Sequence, residues 1–259
     1  MERLREATTW LCDMDGVLLG PTGLIPGADA FVERVRERGY GLQVVTNNSL
    51  FTPDEIVERM AGAGLTMRPE EIWTSAMAAA SYVAAGTGPT RVFAIGRPAI
   101  HLALADVGCV RDPSTPEVVV LAETRDYDFD EFARAVQLID RGAAFVATNP
   151  EATSPTLDGP VPGCGAMAAL IERATGVAPY IVGKPNPAMI HSGLARLGVD
   201  AGRAVLVGDR IETDVVAGAE AGLTTVLVLS GVTTLEELGH AVVVPDVVVG
   251  SLAELISLL

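Results

Sequence analysis

Asp13-Met14-Asp15-Gly16-Val17 follows the apolar run Trp10-Leu11-Cys12, which is itself preceded by Thr8 and Thr9. A short apolar run that ends in two carboxylates reads as a buried strand with its chemistry at the tip. Residues i and i+2 of a strand face the same way, so Asp13 and Asp15 are expected to converge on one small volume. Two carboxylates held that close repel each other. A fold tolerates this when a cation lies between them or when one of them carries a proton. Gly16 lets the chain leave the strand end without a side chain filling the cleft. Turn-forming aspartates are the plainer alternative.

The second signal is compositional. The 259 residues include 17 arginines and one lysine, Lys184. It stands in Tyr180-Ile181-Val182-Gly183-Lys184-Pro185, again just past an apolar run. A compact ammonium with three donors fits a tight anionic site that a planar guanidinium does not. A surface lysine left over from an arginine-rich composition is the alternative; the position at a strand end favours function.

Bulk composition narrows the classes. Apolar residues make up 49% and charged residues 20% of the chain, which describes a packed globular protein with one large or two moderate domains. A net charge of −15 argues against a nucleic-acid polymer as partner, because phosphate backbones need a basic stripe. A small phosphorylated substrate is compatible, since the local charge of a cleft can oppose the overall sign. The opening residues Met1-Glu2-Arg3-Leu4-Arg5-Glu6 are charged, and Ala241-Val242-Val243-Val244 is broken by Pro245 and Asp246. Neither a leader nor a membrane span is expected, and a cytoplasmic location follows. Cys12, Cys109 and Cys164 are widely spaced, so neither a disulfide framework nor a zinc site is indicated. His101, His191 and His240 are scattered and have no metal-like spacing.

Apolar strand-like runs alternate with amphipathic runs throughout. Strands are expected at 8–13, 41–46, 91–95, 117–122, 143–148, 179–183, 204–208, 224–229 and 246–249. Helices are expected at 28–38, 53–63, 75–85, 98–107, 129–141, 165–175, 187–197 and 213–221. This rhythm predicts an α/β protein with mainly parallel sheets. Ligands of open α/β sheets bind outside the carboxyl ends of the strands. Collected there are Asp13 and Asp15, then Thr46, Asn47, Asn48 and Ser49, then Lys184, then Asp209 and Asp214. Carboxylates suit a hard divalent cation. An ammonium, a hydroxyl and backbone N–H groups suit a phosphoryl group.

In this order the residues resemble the haloacid dehalogenase-like phosphatase superfamily. Asp13 to Val17 matches its Asp-x-Asp-x-Thr/Val motif, Thr46 its strand-ending Thr/Ser, Lys184 its lysine, and Gly208 to Asp214 its acidic motif. The long interval between Thr46 and Lys184 implies an inserted cap domain. Thr74-Ser75-Ala76-Met77-Ala78, Glu123-Thr124-Arg125, Thr148-Asn149-Pro150 and Gly183-Lys184-Pro185 resemble the NagD-type branch (class IIA) of nucleotide and p-nitrophenyl phosphatases. That branch usually continues Thr-Asn-Pro with Asp, where this chain has Glu151.

The resemblance implies a doubly wound, Rossmann-like core at 1–78 and 181–259, with a C2-type α/β cap at 79–180 that carries specificity. It implies a Mg²⁺-dependent phosphatase of small phosphomonoesters such as nucleoside monophosphates, sugar phosphates, glycerol phosphate or p-nitrophenyl phosphate. Asp13 would be the nucleophile that becomes an aspartyl-phosphate, and Asp15 the general acid and base. Asp13, the Asp15 carbonyl and Asp209 would hold the metal, with Asp214 placed behind them rather than as a direct ligand. Lys184, Thr46 and Asn47 would bind the phosphoryl group, joined by Arg210, Thr213 and Asn149 at the substrate. Glu123, Arg125 and the turn Gly163-Cys164-Gly165 are further cap candidates, although a tight turn into the next helix accounts for the two glycines. Assembly of copies through the cap is compatible with this reading. Three alternatives remain at this point: a phosphomutase or phosphotransferase of the same superfamily, a haloacid dehalogenase (against which Asp15 speaks), and a receiver-like phospho-acceptor module.

Overall fold

A computed structural model describes residues 2–86, 88–156 and 158–258. The chain folds as two compact units. The first takes the residues up to Thr46, Pro53–Trp73 and those from Lys184 onward; the second takes Asn47–Thr52 and Thr74–Gly183.

The first unit is built on a six-stranded sheet. Its order is Val247–Val249, Thr224–Val228, Ala204–Gly208, Thr9–Cys12, Gly41–Thr46 and Ile72–Thr74. The pairings across the first five strands are all parallel. All four residues of Thr9–Cys12 and all five of Ala204–Gly208 are buried, as expected of parallel strands covered on both faces. Trp10 sits edge-on to Phe31 of the helix Ala28–Glu37, with ring centroids 5.6 Å apart. The chain crosses from Thr9–Cys12 to Gly41–Thr46 on one side and later returns to Ala204–Gly208 on the other. The crevice at which sheet order reverses therefore opens beyond Cys12 and Gly208.

The second unit has its own five-stranded parallel sheet, ordered Tyr180–Ile181, Ala144–Ala147, Val118–Leu121, Arg91–Ile95 and Val110–Arg111. Phe93, Val119, Leu121 and Phe145 of the sheet pack with Phe132 and Leu138 of the helix Phe129–Asp140 and Ile171 of the helix Cys164–Thr175. Asp128 starts the first of these helices by accepting from the N–H groups of Asp130 and Glu131.

The architecture is the expected α/β fold with an inserted α/β domain. The structure divides the chain differently at the edges of 79–180. Helix Ser75–Val83 packs on helix Pro98–Asp106 and so joins the insertion. Residues 47–52 join it through Ser49, whose hydroxyl accepts from the Glu123 N–H at 3.0 Å and from Thr148 Oγ1 at 3.0 Å. No helix among the described residues is long and apolar enough to cross a membrane.

Glu71, 4% exposed, leads into the strand Ile72–Thr74 and ties it to the helix Ala28–Glu37. It accepts from Arg36 Nη2 at 2.8 Å, Arg68 Nη2 at 2.9 Å and the Arg68 N–H at 2.8 Å. Burial alone would raise its carboxyl, but these hydrogen bonds hold it below the ordinary carboxylate range. Glu71→Gln is expected to destabilise the protein by about 1–3 kcal/mol at neutral pH. A depressed carboxyl contributes stability above its unfolded value and loses it as pH falls through the folded one, so the difference should shrink by about pH 3. Urea midpoints of both proteins at the two pH values check this; an equal difference at both would contradict it.

Candidate active site

Asp13 stands one residue beyond the central strand, and its N–H donates to the Val207 carbonyl at 2.8 Å. Asp209 stands one residue beyond the neighbouring strand. The two parallel strand ends thus present two carboxylates side by side. Asp214 adds a third: ligand oxygens of Asp13, Asp209 and Asp214 all lie within 4.8 Å of one another.

Lys184 enters this group from the other end of the sequence. Its Nζ donates to Asp13 Oδ1 at 2.7 Å, Asp214 Oδ1 at 2.7 Å and the Val45 carbonyl at 2.9 Å. That matches its three donors, and the residue is only 2% exposed. The helix that follows, Pro187–Leu197, is started by Asn186, which accepts from the Ala188 N–H at 2.9 Å.

Glycines let these groups approach. A Cβ at Gly16 (φ +89°) would overlap the Asp209 carboxylate, as would one at Gly231; a Cβ at Gly208 would overlap Asp214. The segment 230–233 wraps Asp209: the Val232 N–H donates to Oδ2 at 2.8 Å, and Ser230 Oγ donates to the Gly16 carbonyl at 3.0 Å. Sequence reading missed this segment, although Ser230-Gly231 follows the end of an apolar strand just as the recognised motifs do. Asp214 lies in a π-helical turn, Ile211–Val215, that precedes the short helix Val216–Glu220. The expected helix 213–221 is therefore a wider turn at its start, a geometry that recurs at functional sites.

The electrostatics follow from burial. The Asp13 carboxyl is pushed up to about 8 by burial; Lys184 opposes this, while Asp214 and Asp209 add to it. Burial and Asp214 raise Asp209 to about 6, against the Val232 N–H, Arg210 and Lys184. Burial alone would lower the Lys184 ammonium, but Asp13 and Asp214 hold it above its ordinary value. Asp209 Oδ1 is buried and has no hydrogen-bond partner among the described residues. A buried carboxylate oxygen without a donor is costly. An all-carboxylate set with one oxygen left open fits a hard divalent cation such as Mg²⁺. Both oxygens of Asp214 already accept hydrogen bonds, Oδ1 from Lys184 and Oδ2 from the Arg210 N–H at 3.1 Å.

Comparison with known proteins identifies the family. Residues 10–110 match a family described as haloacid dehalogenase-like hydrolase, and residues 181–255 match one described as HAD-hydrolase-like. A dihydroxyacetone phosphatase of Corynebacterium glutamicum is 42% identical over 247 residues, covering 95% of this chain and 90% of the relative. The solved NagD of Escherichia coli K-12 superposes with a TM-score of 0.91 at 34% identity, covering 96% of this chain and 98% of that one. A glycerol phosphate phosphatase of Mycobacterium tuberculosis, solved with magnesium, has a TM-score of 0.91 at 32% identity, over 98% of this chain and 77% of that one. The chain belongs to the haloacid dehalogenase-like hydrolases. Within them it falls in the NagD-type branch, which sets aside the receiver-like reading.

In this NagD-type hydrolase the remaining expected residues sit as follows. Asp15 is not part of the carboxylate group. Its side chain is 57% exposed and accepts from Arg59 Nη2 at 3.1 Å. The strand stops at Cys12, so strand alternation does not set the direction of the Asp15 side chain, and Asp15 is not among the three carboxylates of that group. Thr46 is buried at the end of its strand. Arg210 is exposed and Thr213 half-buried; what Arg210 brings to Asp214 is its backbone N–H.

Asn47 and Asn149 belong to the second unit. The Asn149 amide donates to the Asn47 carbonyl at 3.0 Å, and its oxygen accepts from the Glu151 N–H, so it acts as scaffold for the 47–49 segment. The unusual Glu151 accepts from Asn47 Nδ2 at 2.7 Å. Glu123 is buried and accepts from Ser154 Oγ, whereas Arg125 is exposed. Gly163 and Gly165 flank the start of a helix at Cys164, and a Cβ on either would strike the carbonyls of Glu151 or Pro150. Close backbone approach explains both glycines.

The raised carboxyls predict a pH dependence for the metal-free protein. Between the ordinary aspartate value of 3.8 and about 8, the folded chain holds a proton on Asp13 that the unfolded chain has released. Stability from this group is present at low pH and is lost as pH rises through that window. Wild type should therefore lose stability relative to Asp13→Asn as pH rises from about 5 to about 8, as read by thermal unfolding in chelator. A difference that does not change with pH would contradict it.

Proposed function

We propose that this hydrolase is a Mg²⁺-dependent phosphatase of small phosphomonoesters that works through an aspartyl-phosphate on Asp13. The observation that carries the reading is the Lys184 ammonium buried between Asp13 and Asp214, in a carboxylate group that includes an unpartnered oxygen of Asp209. Asp13, Asp209 and the Asp15 carbonyl would hold Mg²⁺, whose charge lets an anionic ester approach anionic ligands.

The chain's own residues do the rest. An Asp13 carboxylate oxygen attacks phosphorus, and the P–O ester bond breaks with its electron pair on the leaving oxygen. Asp15, as the carboxylic acid, gives that oxygen its proton and releases an alcohol. A water then attacks the same phosphorus and passes a proton to the Asp15 carboxylate. The acyl-phosphate P–O bond breaks, which returns the Asp13 carboxylate and frees phosphate. Lys184 offsets charge on Asp13 and on the phosphoryl oxygens, and Thr46 donates its hydroxyl to them.

Relatives named for dihydroxyacetone phosphate-type, ribonucleotide and glycerol phosphate substrates support a small ester as substrate. We assign substrate selection to the second unit, which interrupts the core between Thr46 and Lys184.

Phosphate release should be measured with Mg²⁺ over a panel of dihydroxyacetone phosphate, glycerol phosphate, nucleoside monophosphates and p-nitrophenyl phosphate. Turnover should stop in chelator and return with Mg²⁺. Asp13→Asn should abolish turnover and leave the circular dichroism spectrum unchanged. Lys184→Arg should lose most activity, because the larger guanidinium cannot take the same point between two carboxylates. Near-normal hydrolysis by Asp13→Asn, or full activity of Lys184→Arg, would refute the assignment.

A further inference from the structure

We infer that Arg59 is a positioning residue for Asp15, an inference that rests on Asp15 being the proton donor. The main chain around Asp15 is pinned by a tight turn. The Gly16 N–H donates to the Leu19 carbonyl at 2.7 Å, and the N–H groups of Leu18 and Leu19 donate to the Met14 carbonyl at 2.9 and 2.8 Å. Gly16 takes a positive φ that other residues avoid, and Asp15 forms a bridge with Leu19. With the backbone held, side-chain torsion is the freedom left to Asp15. Its carboxylate is 57% exposed and would otherwise sample several rotamers.

Arg59 restricts it. The guanidinium projects from the helix Pro53–Gly62 and donates to Asp15 Oδ1 at 3.1 Å. Both side chains are largely exposed, so the pair contributes little to folding. Its effect is directional: it keeps the Asp15 carboxylate out of the group formed by Asp13, Asp209 and Asp214. A carboxylate that joined that group would add a fourth anion around one ammonium. Held on Arg59 through Oδ1, it leaves Oδ2 as the oxygen that, when protonated, can donate to a leaving-group oxygen. The separate burdens of the two aspartates of the opening motif are thus assigned by different cations, Lys184 for Asp13 and Arg59 for Asp15.

The test compares kcat/KM for glycerol phosphate, whose alkoxide needs a proton to leave, with p-nitrophenyl phosphate, whose phenolate does not. Asp15→Asn should depress the first far more than the second. Arg59→Gln should lower kcat/KM for glycerol phosphate about tenfold and change that for p-nitrophenyl phosphate less than about twofold. Arg59→Lys should recover part of the loss, and Arg59→Gln should leave Tm unchanged. In an Asp15→Asn background, Arg59→Gln should have no further effect. Equal losses on both substrates, or an additive loss in that background, would overturn the role of Arg59 alone. An Asp15→Asn enzyme that does not discriminate between the substrates would overturn the reading of Asp15 together with it.

Discussion

A single buried ammonium shared by two aspartates is the constraint on which the site depends. Lys184 bonds Asp13 and Asp214 at equal distances of 2.7 Å, and Asp209 completes the acidic group. With all three carboxylates ionised, one lysine leaves an excess of two negative charges in a buried volume. Burial first, and the neighbouring carboxylates after it, raise Asp13 and Asp209 above the ordinary aspartate value. The excess is also the charge a divalent cation would balance. Desolvating charges is costly, so a buried group of this kind is weak evidence for a role in stability. It suits the binding site proposed for it.

The parallel sheet is what makes the arrangement inexpensive in sequence. Adjacent strands Thr9–Cys12 and Ala204–Gly208 run in register, Cys12 opposite Val207, so residues just past their ends are neighbours without any further specification. The strand Gly41–Thr46 pairs on the other side and supplies the Val45 carbonyl that takes the third lysine proton. Glycines 16, 208 and 231 then remove the atoms that would collide with carboxylates. Each glycine is a steric requirement of the site, and Gly16 is also a conformational one.

Much of this was legible in the sequence, for physical reasons that differ by element. Buried parallel strands are apolar over most of their length, so Gly41–Thr46, Arg91–Ile95 and Ala204–Gly208 stood out between glycine-terminated helices. The strand Ile72–Thr74 was missed because three residues carry no periodicity. The hairpin Thr153–Thr156 with Gly159–Pro162 was missed because Pro155, Pro160 and Pro162 argue against strands. Asp13, Lys184, Asp209 and Asp214 were found because each follows an apolar run or a recognisable motif. Arg59, Ser230 and Val232 were not, since their roles arise from approach in space and not from spacing along the chain. Strand alternation could not show that Asp15 meets Arg59 while Asp13 meets Lys184, because the strand ends before both aspartates.

The most direct test is to trap the intermediate. A phosphorus-labelled substrate is mixed with the Mg²⁺-loaded enzyme and quenched in acid within the first turnover; one half is mapped directly for label, and the other is reduced with borohydride, which releases the phosphate, and mapped by tandem mass spectrometry. Label is expected on the peptide containing Asp13 in the unreduced half, and homoserine at position 13 in the reduced half. Label on any other residue, or turnover with no covalent phosphate at any quench time, would contradict an aspartyl-phosphate on Asp13.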